Sequence, residues 1–336
     1  MHSPTGCGLT VLRARGRRLC KVIRADGTLI PYDAARTFDL HHEPLADLAA
    51  LADLLRRLLS CRDAAVVRGA ILDPARTRRV RRLLHPDAET GDAPTLREVP
   101  RRWLALDVDG LDLPPGTDPR DLAACARAVL PHLPAEFRHA RAVVTATASH
   151  GIKPGARLRL WYWLTRPASG AEAAQWLRGA PVDASIFTPA QVIYTAAPLR
   201  EAGAADPVPC RLAILPGAAE VVRVPPPLAL APPPRVLPAM PPRRVTGNHG
   251  RDRYAAAALA RAAESVARAP VNSRHLTAKR EAWAVARFVR AGLLTEAEVK
   301  DAIGAALEAA GKARSEGEKV AAWAVAHRAD TGEARR

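Results

Sequence analysis

The sequence has few of the features that mark several large classes of protein. Its five cysteines stand far apart, with no CxxC pair and no cluster with histidine, so it predicts neither a disulfide framework nor a zinc site. No stretch approaches the roughly 18 apolar residues of a membrane span, and the first residues lack the apolar core of a signal peptide. These absences predict a cytoplasmic protein without membrane contact.

Length and charge indicate what the chain does contain. The 336 residues, 48% of them hydrophobic, are enough for two modest domains with a buried core. Fifty Lys and Arg residues against 34 Asp and Glu give a formal charge of +16, and the basic residues recur along the whole chain. This excess indicates attraction to a polyanion such as nucleic acid. The alternative is an arginine-rich composition that reflects codon usage alone.

A proline-rich segment, PPPLALAPPPRVLPAMPP, runs from Pro225 to Pro242. Because proline lacks a backbone N–H and fixes its own φ angle, the segment predicts a stiff, extended linker. Domains usually separate at such segments. We therefore expect an N-terminal domain at residues 1–224, a linker at 225–247 and a C-terminal domain at 248–336.

The predicted C-terminal domain has a helical pattern. It is rich in alanine and spaces its apolar residues at helical intervals, which predicts a small bundle of about four helices. Two pairs, Thr295 with Glu298 and Ser315 with Glu318, match the capping box, in which a hydroxyl and a carboxylate satisfy free amides at a helix start.

Strand and helix patterns alternate in the predicted N-terminal domain. The runs GLTVL, RLCKVI and AAVVRGAIL predict strands, and PLADLAALADLLRRLL predicts an amphipathic helix. A second helix is predicted at DPRDLAACARAVLPHL, followed by strands at AVVTATAS, RLRLWYWL, QVIYTAA and RLAIL. We therefore expect an α+β fold with its strands gathered around the middle of the chain.

The stretch WLALDVDG places Asp107 and Asp109 two residues apart in an apolar run. In a strand, their side chains project to the same side. Two carboxylates this close resist joint ionisation unless a cation lies between them, so the pattern indicates a hard divalent ion such as Mg²⁺ or Mn²⁺. The alternative is that both acids end a strand and face water.

Two later segments carry candidate ligands for phosphate. TATASHGIKPG brings a hydroxyl, an imidazole and an ammonium to the end of a strand, in Ser149, His150 and Lys153. RLRLWYWL sets Arg157 and Arg159 on one face with two tryptophans, and cations interleaved with aromatic rings can hold phosphates and stack bases. The alternatives are an ordinary surface histidine and tryptophans that belong to the core.

Taken in order, these segments resemble the three motifs of the archaeo-eukaryotic primase superfamily, in the primase-polymerase branch common on plasmids and phages. The first motif is an acid pair, here Asp107 and Asp109; the second is a small residue beside a histidine, here Ser149-His150; the third is a single acid near a later strand, here Asp183. The resemblance covers most of the chain, including the helical tail. Two departures are the position of the serine, which in many relatives stands two before the histidine, and the lack of a cysteine cluster for a zinc-binding insertion.

The resemblance implies a primase-polymerase core, a mixed sheet with an RRM-like palm, followed by a small helical bundle. It implies a DNA primase, a template-directed nucleotidyltransferase that makes or extends primers on single-stranded DNA from NTP or dNTP for plasmid or phage replication. Asp107, Asp109 and Asp183 would hold two Mg²⁺ or Mn²⁺ ions. The incoming triphosphate would contact His150, Ser149, Lys153, Arg157 and Arg159. Because the chain has no GxxxxGK[ST] loop, a separate replicative helicase is an expected partner.

Basic residues outside these motifs are candidates for nucleic-acid contact. The run RTRRVRR supplies four arginines that would contact template phosphates: Arg78, Arg79, Arg81 and Arg82. In the C-terminal domain, Asn272 and Arg274 lie before the second helix and would touch template or primer. The alternatives are a solvated loop for the arginines and a helix cap for Asn272.

Two other functions fit some of the same residues. A non-catalytic DNA-binding replication protein would keep the fold and the basic surface without the reaction. The stretch LDVDGL also resembles the first motif of haloacid-dehalogenase-type phosphatases, in which the first aspartate is a nucleophile and the second a general acid. That class needs a later lysine and a further acid pair, and no convincing pair follows here.

Overall fold

The computed structural model describes residues 7–87, 90–230, 249–270 and 273–328. The chain divides into two compact units, Met1–Pro233 and Pro234–Arg336. The first unit combines strands with helices and the second is helical, so the fold class is α+β, as the alternating patterns predicted.

The elements have the following bounds. The strands are β1 (Gly8–Arg13), β2 (Val22–Ile23), β3 (Leu29–Ile30), β4 (Asp39–Pro44), β5 (Ala64–Val67), β6 (Ala70–Ile71), β7 (Leu96–Arg97), β8 (Arg101–Leu111), β9 (Ala142–Ala146), β10 (Ala156–Ala168), β11 (Leu199–Arg200) and β12 (Leu212–Leu215). The α-helices are α1 (Leu48–Leu59), α2 (Leu122–Val129), α3 (Ala135–Arg138), α4 (Gly170–Trp176), α5 (His249–Ala267), α6 (Arg274–Arg290), α7 (Glu296–Ala309) and α8 (Arg314–His327). Short 3₁₀ helices lie at Leu130–His132, Ala184–Phe187 and Pro227–Leu230.

A four-stranded antiparallel sheet with the order β12-β9-β10-β8 lies in the core of the first unit. Side chains alternate between its faces. One face carries fully buried residues such as Leu106 and Leu160, which pair across β8 and β10. On this face, Phe137 of α3 packs edge-on against Tyr162, with ring centroids 5.1 Å apart. The alternation predicted from RLRLWYWL is therefore confirmed.

The opposite face of the sheet carries buried tryptophans. Trp103 and Trp161 lie on β8 and β10 with ring centroids 5.9 Å apart. Trp161 Nε1 donates to Thr145 Oγ1 at 3.0 Å, and Trp103 Nε1 donates to the Gly8 carbonyl at 3.0 Å. Because buried indole N–H groups need acceptors, the second bond fixes β1 against this face. Further along the same face lie the aspartates of β8.

The second antiparallel sheet has the order β4-β1-β5. Its buried side chains share an apolar core with those of helix α1. Helix α1 begins at Asp47, whose carboxylate accepts a hydrogen bond from the Ala50 N–H at 2.8 Å, the usual way to satisfy a free amide at a helix start. Leu51, Leu55 and Leu58 recur at helical spacing on its buried side. The predicted amphipathic helix is therefore confirmed.

Two buried arginines join these sheets. Arg101 of β8 donates from Nη1 to the Gly8 carbonyl at 2.7 Å and from Nε to the Arg68 carbonyl at 2.8 Å. Arg68, which is 1% exposed, donates to the carbonyl of Ala168. Burial lowers the pKa of both guanidinium groups to about 10. These bonds satisfy main-chain carbonyls where β1, β8 and β10 meet.

The remaining strands form smaller sheets, β11-β2-β3 and β6-β7. Strand β2 pairs antiparallel with β3 and parallel with β11. Among the described strands, β2 and β11 form the one parallel pair. Every strand pair of the four-stranded sheet is antiparallel. The prediction of a mixed sheet as the core was therefore wrong, because each central strand has antiparallel neighbours.

The second unit is formed by α5, α6, α7 and α8, packed around an apolar core of its own. Val285, Ile303 and Leu307 belong to this core. The capping box predicted at Thr295 and Glu298 is confirmed, with both of its hydrogen bonds present.

Two local predictions were wrong. Ser315 does not cap a helix, because α8 already begins after Ala313, and the Glu318 carboxylate pairs with the Arg314 side chain at 3.2 Å. The QVIYTAA run forms no strand among the described residues; it makes a single bridge, between Ile193 and Val66.

The proline-rich segment begins on the first unit. Leu230 is buried in the core of that unit, and Arg166 Nη2 donates to the Pro225 carbonyl at 2.6 Å. Residues 231–247 of the predicted linker lie outside the described residues. None of the described helices combines the length and the apolar character needed to cross a bilayer.

Candidate functional site

Asp107 and Asp109 lie on β8 opposite two arginines of β10. The antiparallel register pairs Asp107 with Arg159 and Asp109 with Arg157. Arg159 Nη2 donates to both carboxylate oxygens of Asp107, at 3.1 and 3.0 Å, and Arg157 Nη1 forms an ion pair with the Asp109 carboxylate. The Asp107 side chain is 24% exposed and that of Asp109 is 68% exposed. The two acids therefore lie at the solvent-exposed end of the sheet face that carries the buried tryptophans.

Two glycines allow the ends of β8 and β10 to approach each other beside these ion pairs. Gly110 has φ +93° and Gly155 has φ +76°, in the left-handed region that glycine adopts without steric cost. A Cβ on Gly155 would lie 2.8 Å from the carbonyl carbon of Gly110. The strand register shifts at Ala156 and Arg157. The glycine that follows DVD thus helps to bring Arg157 to Asp109.

The third acid approaches the pair through its backbone. The Asp183 N–H donates to the Asp107 carbonyl at 2.9 Å. The Asp183 carboxylate accepts from the Ser185 N–H at 2.9 Å and from its Oγ at 2.8 Å, and so caps the 3₁₀ helix Ala184–Phe187. The structure therefore places Asp183 next to Asp107, with its side chain engaged in a local turn.

The donor set can be compared with the needs of a divalent ion. Carboxylate oxygens are the ligands that Mg²⁺ and Mn²⁺ prefer, and Asp107 and Asp109 face the same side of β8. Within the described part of the chain, no three His, Cys, Asp or Glu residues are grouped to hold a metal ion. By their chemistry and their common side, Asp107 and Asp109 fit one ion, which would take the place of the arginine side chains. The predicted second ion also requires the Asp183 carboxylate to leave Ser185.

A lysine from the start of the chain joins this cluster. Lys21 precedes β2 and is half-buried. Burial lowers the pKa of its ammonium group, the charges of Lys153 and Arg157 lower it further, and Asp109 opposes them. Three cations, Lys21, Arg157 and Arg159, thus lie within electrostatic reach of the acids, and Lys153 lies within reach of Lys21. Sequence reasoning missed Lys21, because only long-range folding brings it here and RLCKVI indicates no more than a strand.

Two tyrosines lie behind Arg159. The rings of Tyr32 and Tyr194 stack with centroids 3.6 Å apart, and Arg159 Nη1 donates to the Tyr194 carbonyl at 2.9 Å. Burial raises the pKa of Tyr32 to about 12. These residues and Thr147 line a cavity of about 30 Å³, which has room for water but not for a nucleotide base. A nucleotide would therefore lie on the exposed side of the cluster.

His150 is fully buried in the loop between β9 and β10. Its Nδ1 accepts a hydrogen bond from the Arg157 N–H at 3.2 Å, so its Nε2 carries the proton donated to the Pro119 carbonyl at 3.0 Å. Burial lowers the pKa of the imidazole. With both nitrogens engaged, His150 has no free group for a triphosphate in this arrangement. Ser149 is also buried, with its hydroxyl 3.3 Å from that of Thr147.

The arginines predicted to contact nucleic acid fall into two groups. Arg78 and Arg79 are exposed. Arg81 forms salt bridges with two aspartates of its own loop, and the Arg82 guanidinium lies over a buried phenylalanine and donates to a main-chain carbonyl. Only the first pair is therefore free to meet phosphate. In the second unit, Arg274 is the half-buried first residue of α6, and Asn272 lies outside the described residues.

Comparisons with known proteins supply no relative through which to interpret this site. No protein-family model, no curated protein and no solved structure matches the chain.

Proposed function

We propose that the chain is a nucleotidyltransferase of the primase-polymerase type, which adds nucleotides to a primer strand on a single-stranded DNA template. One observation carries the proposal: Asp107 and Asp109 face one side of β8 beside a cluster of cations, and the backbone of Asp183, distant in the sequence, is hydrogen-bonded to Asp107. Carboxylates next to phosphate-binding cations are the parts that nucleotidyl transfer needs. The four-stranded sheet that carries them would be the palm of this enzyme.

The cations of the cluster would hold the triphosphate of the incoming NTP or dNTP. Arg157 is tied by its Nε to the Pro154 carbonyl at 3.2 Å, which orients the guanidinium at the solvent-exposed end of the sheet face. Lys153 is exposed next to it. A guanidinium fork matches phosphate oxygens and an ammonium supplies a point charge. The lowered pKa of the Lys21 ammonium reflects the burial and the surrounding positive charge that a bound triphosphate would offset.

The acids would hold Mg²⁺ or Mn²⁺ at Asp107 and Asp109. Such an ion offsets the charge of the phosphates and favours deprotonation of the attacking 3′-hydroxyl. The protein's own part is positioning: the Asp183 N–H bond to the Asp107 carbonyl fixes the free edge of β8, and the Arg159 bond to the Tyr194 carbonyl fixes the floor of the site. Small displacements of the reacting groups lower the reaction rate strongly.

The proposal predicts incorporation of labelled nucleotide on single-stranded DNA with Mg²⁺ or Mn²⁺. Asp107→Asn should lower incorporation by about 100-fold or more, because removing one carboxylate ligand weakens binding of the metal ion. Asp112→Asn is the matched control, since Asp112 is an exposed acid just beyond β8 and its substitution changes the charge equally. Incorporation by the control should match that of the native chain.

Two results would overturn the proposal. One is a native chain that incorporates neither ribonucleotides nor deoxyribonucleotides with either metal. The other is equal incorporation by the native chain and Asp107→Asn, which would place the reaction elsewhere or in a contaminant.

A second candidate function is a DNA-binding replication protein without catalysis. The observation that favours it is the pairing of Asp107 with Arg159 and of Asp109 with Arg157, which gives each acid a partner inside the protein. This candidate predicts binding of single-stranded DNA without any metal-dependent incorporation, so the same assay, combined with a binding measurement, separates the two.

A further inference from the structure

A cleft lined by arginines lies in the first unit, formed by the end of β1, the segment before β4 and the loop after β6. Its volume is about 580 Å³. The lining includes five arginines: Arg13, Arg15, Arg17, Arg36 and Arg79. We call this surface the arginine cleft. Arg79 lies in the RTRRVRR run, and the other four arginines lie outside the sequence motifs.

We propose that the arginine cleft binds the sugar-phosphate backbone of single-stranded DNA. The proposal rests on the proposed function only in taking this strand as the partner; the binding surface itself is argued from the cleft. The residues that line the cleft do not include Asp107 or Asp109 of β8.

The positive charge of the cleft is only partly offset within the protein. Arg13 pairs with Asp63 at 2.9 Å and Arg15 pairs with Asp39 at 2.7 Å. In the described part of the chain, no carboxylate lies within salt-bridge distance of Arg17, Arg36 or Arg79. Three guanidinium groups are therefore left to bind an anion, and the two paired arginines remain 42% and 67% exposed.

The backbone at Arg79 is held in an unfavourable conformation at this cleft. Its φ is +52°, the one positive value outside glycine among the described residues, and a side chain there has a conformational cost. The Arg79 N–H donates to Asp39 Oδ1 at 2.8 Å, while Arg15 Nε donates to Asp39 Oδ2. Asp39 is buried at the start of β4, so one fixed carboxylate positions two cleft arginines. Strain that surrounding contacts maintain is typical of functional sites.

The lining favours a chain of phosphates over a single nucleotide. The small residues Ala34, Ala35 and Thr37 lie between the arginines, so a backbone can approach closely. The aromatic residue of the lining, Phe38, is 3% exposed and is not available to stack on a base. Five guanidinium groups with no exposed ring indicate contact with successive phosphates and no reading of sequence.

The test measures binding of a fluorescent oligothymidylate of about 20 nucleotides, long enough to exceed typical binding sites, by anisotropy at several KCl concentrations. Arg17→Ala/Arg36→Ala should weaken binding about 10-fold at about 0.1 M salt and should lower the slope of log Kd against log salt by about 1.4, since each phosphate contact on a single strand contributes about 0.7. Arg17→Lys/Arg36→Lys should recover most of the affinity, because the charges return.

The matched control is Arg127→Ala/Arg178→Ala. Both residues are exposed arginines of the same unit outside the cleft lining, so the double variant loses the same charge. Its affinity should stay within about twofold of the native chain and its salt slope should not change. Equal weakening by the control and the cleft variant would overturn the proposal, because only net charge would then matter.

A third variant tests the cleft without disturbing its packing. Arg79→Gly removes the guanidinium, keeps the N–H bond to Asp39 and suits a positive φ, so the protein should stay folded and bind the oligonucleotide several-fold more weakly. Native affinity in both Arg79→Gly and Arg17→Ala/Arg36→Ala, or tighter binding of duplex than of single strand, would overturn the proposal, and so would a native chain that does not bind the oligonucleotide. If the native chain binds the oligonucleotide through the cleft but does not incorporate nucleotides, the proposed function alone is overturned.

Discussion

His150 is a titratable residue that the fold keeps neutral. Its Nδ1 accepts a hydrogen bond from the Arg157 N–H while its Nε2 donates one to the Pro119 carbonyl. A second ring proton would face the Arg157 N–H, and among the residues that the structure describes no carboxylate forms a salt bridge with this imidazole. Burial accordingly lowers the pKa of His150 below 6.5. In this arrangement, the imidazole predicted to contact a triphosphate holds the loop that carries Lys153.

The stability of the protein should fall as pH drops below 6.5. The unfolded chain binds a proton at His150 near pH 6.5, whereas the folded chain does so only at lower pH, so the stability contributed by the neutral ring is complete above 6.5 and is lost as pH falls toward the folded-state pKa. His150→Gln removes this titration. Thermal melting between about pH 5 and 7.5 should show a steeper acid loss for the native chain than for the variant.

The control for this prediction is His41→Gln, a substitution of an exposed histidine on β4. It should leave the pH profile of the native chain unchanged. Parallel acid profiles for the native chain and His150→Gln would show that the ring is not the group responsible.

At the scale of elements, the pair β8 and β10 depends on the glycines where the two strands end. Gly155 has a positive φ and faces the backbone of Gly110. Gly116, in the exposed turn after β8, has φ +79°, and no atom lies within 4 Å of the point that a Cβ would occupy there. The two positions share the conformational requirement and differ in the space available, which makes them a matched pair.

Gly155→Ala should destabilise the protein by about 3 kcal/mol, because the new methyl group adds a steric clash with the Gly110 carbonyl to the cost of the left-handed backbone. Gly116→Ala should cost about 1 kcal/mol, the backbone part alone. Urea unfolding followed by circular dichroism measures both. Equal losses would mean that the strand ends move apart without cost and do not constrain Arg157.

Elements with a strong local pattern could be predicted from the sequence. Alternation in RLRLWYWL predicted the two faces of β10, since successive side chains of a strand point to opposite faces. Leucines at helical spacing predicted α1, since burial of one helix face favours that spacing. QVIYTAA has the composition of a strand, but among the described residues it makes only the bridge between Ile193 and Val66 of β5. Ser315 matched a capping pattern inside α8, where the helix had already begun.

At the scale of the whole molecule, the charge of +16 acts on both stability and binding. Like charges repel in the compact state, and added salt screens this repulsion. Raising the salt from about 0.02 to 0.2 M should therefore raise the melting temperature by about 2–4 °C, equivalent to about 1 kcal/mol. The same change should weaken binding of single-stranded DNA, because counterion release then favours the complex less.

Differential scanning fluorimetry and oligonucleotide anisotropy over the same salt series measure the two effects. Their opposite signs are the prediction. A melting temperature that falls with salt would show that the ion pairs of the surface outweigh the repulsion among its cations.

Local sequence patterns predicted only some of the residues that form the site. The residues Asp107 and Asp109 were evident from the strand that carries them, and Asp183 was singled out only through the family resemblance. Lys21 and the arginines of the cleft have no sequence signal beyond their charge, because distant segments meet there only after folding. The pairing of the acids with Arg157 and Arg159 depends on the register of two strands, which no single segment encodes.

That register has one more consequence. Since every aspartate of β8 already faces an arginine on the neighbouring strand, the repulsion between the two carboxylates is relieved before any ligand arrives. Folding of the β8–β10 ladder should therefore not require a divalent ion, and a chelator added to the protein should leave this pair of strands in place.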